Sequence, residues 1–331
     1  MKQFTKIRIA VYISILLSFL VFISYMIDMP GDSYKGSFPH PTTKQEDLSK
    51  KYLSQLEQFA TEPRNVEHLS GLRKAEDFII KELKSFNFDN ILIQSYQDAE
   101  FKNFEVTIEP LKEVTQTVVI GAHYDSAGNA NGADDNASSV VILLELAKRF
   151  KENFNSNNTR LKIVFFTNEE PPFFKGSLMG SAKYSRLLYE KKEPVVAMYS
   201  FDALGYFKEE ENTQHYPLLF SAFYPSTGNF VAFVGNLSSR DLIRKSLSAF
   251  REDAQFPSEG ISAWQYIPGI DYSDHVSFYH YGWKGMMITD TAFHRNHHYH
   301  TTEDTIDKLD LIKMAQITDE LETMFRKLYE N

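Results

Sequence analysis

The sequence predicts an α/β fold: a single three-layer domain with a central, mostly parallel mixed sheet flanked by helices, preceded by one N-terminal transmembrane helix. Two observations predict the domain. Short unbroken apolar runs at 118–122 (VVIGA), 161–167 (LKIVFFT), 195–201 (VVAMYSF) and 285–289 (GMMIT) alternate with stretches of helical apolar spacing. Strands of that kind, separated by helices, are the signature of a parallel sheet covered on both faces. A third observation, the uncharged apolar stretch at 9–27, predicts the helix that precedes the domain.

The elements follow in order. Residues 9–27 read IAVYISILLSFLVFISYMI. At ~1.5 Å per residue a helix of this length spans roughly 28 Å, close to the ~30 Å hydrocarbon core of a bilayer. Lys2, Lys6 and Arg8 precede it, and Asp28 and Asp32 follow. The excess of positive charge keeps residues 1–8 in the cytoplasm and places the rest outside. A cleaved signal peptide usually has a shorter apolar region followed by small residues. Here Met26, Ile27, Asp28, Met29 and Pro30 stand at that place, so the helix is expected to stay as a single-pass anchor. Residues 28–44 lack apolar periodicity and read as a linker, leaving 45–331 as the folded domain. Within it, Leu72, Ala75, Ile79, Leu83 and Phe86 mark a helix over 70–86. Strands are expected at 91–95 and 104–108, then at VVIGA. Helices over 138–150, 181–191 and 239–250 separate LKIVFFT, VVAMYSF and GMMIT, and an amphipathic helix over 309–329 closes the chain.

Composition removes several functions. Of 331 residues, 43% are apolar, enough for a full core, and 27 Phe and 18 Tyr rule out a disordered chain. The formal charge of −9, with no long basic cluster, argues against a nucleic-acid partner. There is no cysteine. Disulfides, thiol nucleophiles and cysteine-held zinc are thereby excluded, and any metal must rest on nitrogen and oxygen ligands. HExxH, GxSxG and glycine-rich phosphate loops are also missing.

In parallel α/β sheets ligands bind beyond the carboxyl ends of the strands. Those ends carry His123-Tyr-Asp125, Asn168-Glu169-Glu170, Asp202 and, further on, Asn296-His-His-Tyr-His300; the first loop adds Asp134-Asp135-Asn136. So many carboxylates brought together would repel unless protonated or neutralised by a cation. Histidine with carboxylate suits zinc.

The ordered segments HYDS, GADDNAS, NEE, FD and YHTTEDT resemble the family-28 zinc metallopeptidases, which include di-zinc aminopeptidases. The resemblance spans roughly residues 50–331. It implies two Zn2+ per chain: one on His123, Asp135 and Asp202, the other on Asp135, Glu170 and His300. It assigns Asp125 to orienting the His123 imidazole and Glu169 to general-base catalysis, and marks Asp135-Asn136 for a cis peptide. Paired metals activate water and polarise a carbonyl; Tyr299, beside His300, is placed to donate to the oxyanion. The implied reaction is hydrolysis of N-terminal peptide bonds, with peptide or protein N-termini as substrate and the catalytic domain outside the membrane. Two alternatives stand beside it: a single-zinc glutaminyl cyclase-like enzyme, and a non-catalytic binding module on the same fold.

Other residues receive plainer expectations. Asp134 reads as a turn or capping residue. His294, His297 and His298 read as loop residues, with His298 the rival to His300. Ser273-Asp274-His275 is expected beside the site, with Asp274 and His275 supporting it or lining its pocket. Trp264, Tyr266 and Tyr272 read as core packing, with the substrate pocket as the alternative. The sequence sets neither the preferred N-terminal residue nor the oligomeric state.

Overall fold

The four apolar runs form the middle of an eight-stranded mixed sheet. The computed structural model describes residues 2–98, 100–217 and 220–330, with the side chains of residues 2, 3, 5, 6, 9 and 10 outside the described set. The helices are α1 (Lys2–Ile27), α2 (Thr43–Phe59), α3 (Leu69–Ser85), α4 (Ser139–Asn153), α5 (Gly180–Glu190), α6 (Arg240–Arg251), α7 (Val276–Tyr279) and α8 (Leu311–Tyr329). The strands are β1 (Leu92–Tyr96), β2 (Phe101–Ile108), β3 (Gln116–His123), β4 (Thr159–Phe166), β5 (Val195–Phe201), β6 (Val231–Asn236), β7 (Ser258–Ala263) and β8 (Gly285–Thr289).

Across the sheet the order is β1-β2-β4-β3-β5-β8-β6-β7. β4, β3, β5 and β8 are parallel. The hairpin β1–β2 adds antiparallel to β4. On the far side β6 runs antiparallel to β8 and parallel to β7. β6, β7, α2 and the short α7 are additions to the expected set. Register brings the carboxyl ends level: His123 pairs with Phe166, Ala122 with Phe201, and Phe201 with Ile288. From β3 the chain passes to β4 on one side and then to β5 on the other. The crevice at such a switch point is where doubly wound sheets bind ligands.

Alternation along each strand divides the core into layers. Val118, Ile120 and Ala122 of β3 join Leu143 and Leu144 of α4 and Ile317, Leu321 and Phe325 of α8 in the main cluster. Val119 faces the other way, with Val164, Phe166 and Met198, onto Tyr184 and Leu188 of α5 and Phe278 of α7. Truncating a fully buried leucine such as Leu143 to alanine should cost about 2–5 kcal/mol. α2 starts on a capping box, Thr42 with Gln45. It buries Leu48, Tyr52, Leu56 and Phe59, and the Tyr52 hydroxyl is 2.8 Å from Thr318 Oγ1 of α8.

Residues 28–42 have no helix or strand and lie against the domain, where Arg244 donates to Asp28 Oδ2 at 2.6 Å and Ser258 N to Ser33 Oγ at 2.9 Å. Large apolar side chains of α1, among them Leu17 and Val21, are exposed, whereas Ile23 and Met26 are buried. The expected membrane span at 9–27 includes residues 9 and 10, whose side chains lie outside the described set. Among the described residues, no helix is long and apolar enough to cross a membrane.

Candidate active site

Each strand end delivers its side chain to one buried cluster. His123 is the last residue of β3. Glu169 and Glu170 lie just beyond β4 and Asp202 just beyond β5. Asp135 comes from the turn between β3 and α4. In that turn Gly132 sits at φ +58°, and a Cβ there would collide with the backbone oxygen of Asp135, so only glycine fits. His300, also left-handed at φ 60°, ends the loop after β8.

Asp135 stands at the centre. Its Oδ1 is 3.2 Å from His123 Nε2, and its Oδ2 is 3.1 Å from His300 Nε2. His123 Nε2 is also 3.7 Å from Asp202 Oδ2, and His300 Nε2 is 3.1 Å from Glu170 Oε2. The two oxygens of one carboxylate thus face two imidazoles, each with one further carboxylate nearby. Glu169 Oε2 is 4.0 Å from His123 Nε2.

Several of these atoms are buried without a hydrogen-bond partner: both nitrogens of His123, Asp135 Oδ2 and Glu170 Oε1. Orphaned buried groups of this kind are rare and need an explanation. His123, Asp135 and Glu170 offer ligand atoms that all lie within 4.8 Å of one another. The donor set, imidazole nitrogens and carboxylate oxygens converging without a competing donor, fits a divalent cation.

Electrostatics point the same way. Burial, with Asp135 adding, raises Glu170 to about 8. Burial carries Asp202 up to about 6 against the pull of His123. Burial pushes Glu169 well above the ordinary carboxyl range, opposed by His123 and reinforced by Glu170 and Asp202. For His300, burial is overcome by Asp135 and Glu170, which lift it to about 10. Protons held on imidazoles and acids stand where positive charge is wanted.

The supporting residues are specific. Asp125 Oδ1 is 3.5 Å from His123 Nδ1, and the same carboxylate accepts the backbone N–H groups of Glu169 at 3.2 Å and Glu170 at 3.1 Å. It therefore aligns the imidazole and the Glu pair together. Asp304 accepts from Asp134 N at 2.9 Å and Asp135 N at 3.1 Å. Asn136 donates to Phe201 O at 2.9 Å and accepts from Ala203 N at 3.0 Å, clamping the backbone on either side of Asp202. The Asp135-Asn136 peptide is cis. Asp134 ties the loops together, accepting from Gly205 N at 3.0 Å and Asn296 Nδ2 at 2.8 Å. Tyr299 stacks on His300 at 3.8 Å, and with Asp202 it lines an apolar cleft.

Some expectations change. Arg64 is fully buried close enough to Asp304, Asp125, Asp135 and Glu170 to feel their charge, so the acidic patch does have an arginine beside it in space. Its guanidinium donates to Tyr124 O at 2.7 Å and Gly132 O at 2.7 Å, bracing the first loop. Arg295, also buried, donates to Gln214 Oε1 at 2.8 Å and Phe230 O at 2.9 Å, bracing the loop that presents Tyr299 and His300. His298 stacks edge-on against Tyr206, leaving His300 to face Asp135. Asp274 is buried with neither oxygen hydrogen-bonded, and burial raises it to about 7. His275 Nε2 is 3.0 Å from Ile270 O. Trp264 and Tyr266 are 57% and 72% exposed, so neither packs the core; Tyr272 lines the cleft.

Fold and cluster define the class first: an α/β domain that gathers buried imidazoles and carboxylates at the carboxyl edge of its sheet. Residues 103–324 match the model of Peptidase family M28, and the chain belongs to that family. It is 31% identical over 333 residues to the uncharacterized protein YfbL of Escherichia coli, covering 94% of this chain and 98% of that protein. It is 27% identical over 286 residues to the probable aminopeptidase YDR415C of Saccharomyces cerevisiae, covering 81% and 69%. Three solved structures share the fold at low identity. They are the LapA aminopeptidase of Legionella pneumophila (TM-score 0.68, 16% identity, 90% of this chain, 78% of that one), the zinc aminopeptidase BSAP of Bacillus subtilis (0.53, 21%, 70%, 50%), and a Bacteroides thetaiotaomicron glutaminyl cyclase (0.62, 17%, 87%, 99%).

Proposed function

We propose that the chain is a zinc aminopeptidase that hydrolyses N-terminal peptide bonds with a two-metal site. The observation that carries the reading is Asp135, whose two oxygens face His123 and His300 at 3.2 and 3.1 Å. Membership of Peptidase family M28 and a relative described as a probable aminopeptidase support the reaction class. His123, Asp135 and Asp202 would hold one zinc, and Asp135, Glu170 and His300 the other. Bound there, the metals supply Lewis-acid activation of water and polarisation of the scissile carbonyl.

The rest falls to the chain. Glu169 is the base: buried and proton-avid, it takes the proton of the attacking water and hands it to the departing amine. Asp125 keeps His123 and the Glu pair in register. Tyr299 donates its phenol to the oxyanion as the carbonyl becomes tetrahedral. Asp274 is buried close enough to His123, Asp125 and Asp202 to feel their charge; His275 is a positioning residue held by Ile270 O.

The glutaminyl cyclase neighbour means that the fold alone does not choose the reaction. What supports hydrolysis is the ligand pair offered on each side of Asp135, His123 with Asp202 and His300 with Glu170. The test is a pair of substrates, leucyl-nitroanilide and its N-acetylated form. Chelator-sensitive release from the free amine alone is expected. Equal release from the acetylated form would remove the aminopeptidase assignment.

The same reading has residues 1–8 in the cytoplasm, an anchor at 9–27 whose last turns, with Ile23 and Met26, leave the bilayer to pack on the domain, and the catalytic domain outside. Supporting it are the uncharged run 9–27, the basic residues before it and the exposed apolar side chains of α1. Alkaline carbonate extraction of cell membranes should leave the chain in the pellet; release into the supernatant would end the anchor assignment.

A further inference from the structure

The apolar cleft that begins at Asp202 and Tyr299 runs down one face of β6, β7 and β8. It measures about 100 Å³, where one water needs about 10–15 Å³, so it accommodates a large side chain. Phe220, Phe230, Val234 and Met287 line it. The opposite face of β6 and β8 is covered by α6, through Leu242, Ile243 and Leu247. On the cleft side the backing comes from elsewhere: Ile23 and Met26, near the end of α1, are buried in one cluster with those same four residues.

That end of α1 is latched. Arg240 Nε donates to Tyr25 O at 3.0 Å, and its guanidinium lies 4.1 Å from the Tyr25 ring centroid. Arg240 and Arg244 both reach Asp28 Oδ2, at 3.1 and 2.6 Å. Arg251 donates to Pro30 O at 3.1 Å and Gly31 O at 2.9 Å. Ser33 meets Ser258 at the start of β7, and Met29 approaches Gly260 further along it. Residues 23–33 thus run along β7 as a fixed strap, held by three arginines from α6.

We infer that the end of α1 is a built part of the substrate site: Ile23 and Met26 are positioning residues that hold the wall of the cleft, which takes a large apolar side chain from the first residue of the peptide. The inference rests on the aminopeptidase reading for its substrate. Its physical basis is packing. Interiors are close-packed, and a wall that loses its backing relaxes and forfeits contacts with whatever it holds. A small side chain such as alanine does not reach that wall, so its recognition is independent of the strap.

The test uses the full chain in detergent, as wild type, as the double variant Ile23→Ala/Met26→Ala and as Asp28→Ala, which loosens the latch without entering the core. Calorimetry measures binding of free L-phenylalanine and free L-alanine, which needs no turnover. KM and kcat are measured on the corresponding aminoacyl-nitroanilides. The double variant should weaken phenylalanine binding and raise KM for the phenylalanyl substrate roughly tenfold, equivalent to about 1.4 kcal/mol, with kcat and the alanyl substrate unchanged. Asp28→Ala should shift in the same direction by less, and it decides the matter alone if the double variant does not fold. An unchanged phenylalanine-to-alanine ratio in the folded variants overturns the inference. So does an equal loss on both substrates, or a wild type that prefers neither amino acid. Selective phenylalanine binding that the variants lose, in a wild type that turns over no substrate, upholds the strap and rejects the peptidase reading instead.

Discussion

Replacing Asp304 by alanine tests how the central carboxylate is held. Asp304 is fully buried, and its two oxygens accept the backbone amides of Asp134 at 2.9 Å and Asp135 at 3.1 Å. Leaving one buried donor unpaired costs about 1–3 kcal/mol, so two give about 2–6 kcal/mol. Against this, burial raises Asp304 to about 8, with Asp134 adding, and removing the acid relieves that cost. The expected net loss is therefore in the lower half, about 2–3 kcal/mol. A domain holds about 5–15 kcal/mol in total, so the loss is plain in urea unfolding at pH 7. Asp304→Asn keeps one acceptor and should lose about half as much. Both variants should also hold less metal, because the amide that fixes Asp135 between His123 and His300 is freed. An alanine variant within about 0.5 kcal/mol of wild type and with full metal content would refute the reasoning.

Three further outcomes are expected. Glu169→Gln should keep its metal and lose about 10²–10⁴-fold in kcat; activity near wild type would move the base elsewhere. Tyr299→Phe should lower kcat by about 10²–10³-fold with KM and Tm unchanged, and an unchanged kcat would remove the phenol from the chemistry. His275, whose pKa burial depresses to about 4, stays neutral in the fold while the unfolded chain, with an ordinary pKa of about 6.5, takes up a proton. Its contribution is therefore complete above pH about 6.5 and falls as pH drops towards 4, by about 2–3 kcal/mol. Urea midpoints for wild type and His275→Gln, which keeps a donor for Ile270 O, should converge between pH 7 and 4.5; a constant gap would contradict the assignment.

Much of this molecule was legible because a parallel sheet writes itself in unbroken apolar runs and puts ligands at the strand ends. VVIGA, LKIVFFT, VVAMYSF and GMMIT are β3, β4, β5 and β8, and each leads to the cluster. What escaped follows from physics that sequence does not display. α2 carried a signal in Thr42, Gln45 and the spacing of Leu48, Tyr52, Leu56 and Phe59, but its many charges masked the stripe. β7, SEGISA, is short and small-residue-rich, and becomes a strand by pairing with β6. Arg64 lies 59 positions before His123 in the chain and reaches the cluster only through tertiary folding. Asp304 stands in the YHTTEDT segment, and the side-chain bonds it makes are to backbone, an arrangement no residue pattern announces. Asp134 and Asp135 are identical in type and adjacent; their opposite duties depend on which way each side chain leaves the turn. Trp264 and Tyr266 fit core packing or a pocket wall equally by residue type, and they stand exposed.

The central claim is that Asp135 joins two metal half-sites, and it is tested most directly by metal content per chain, measured by mass spectrometry on the intact protein and on His300→Ala. The account predicts close to two zinc in the wild type and close to one in the variant, which keeps His123, Asp135 and Asp202. One zinc in the wild type, or two in His300→Ala, would contradict it.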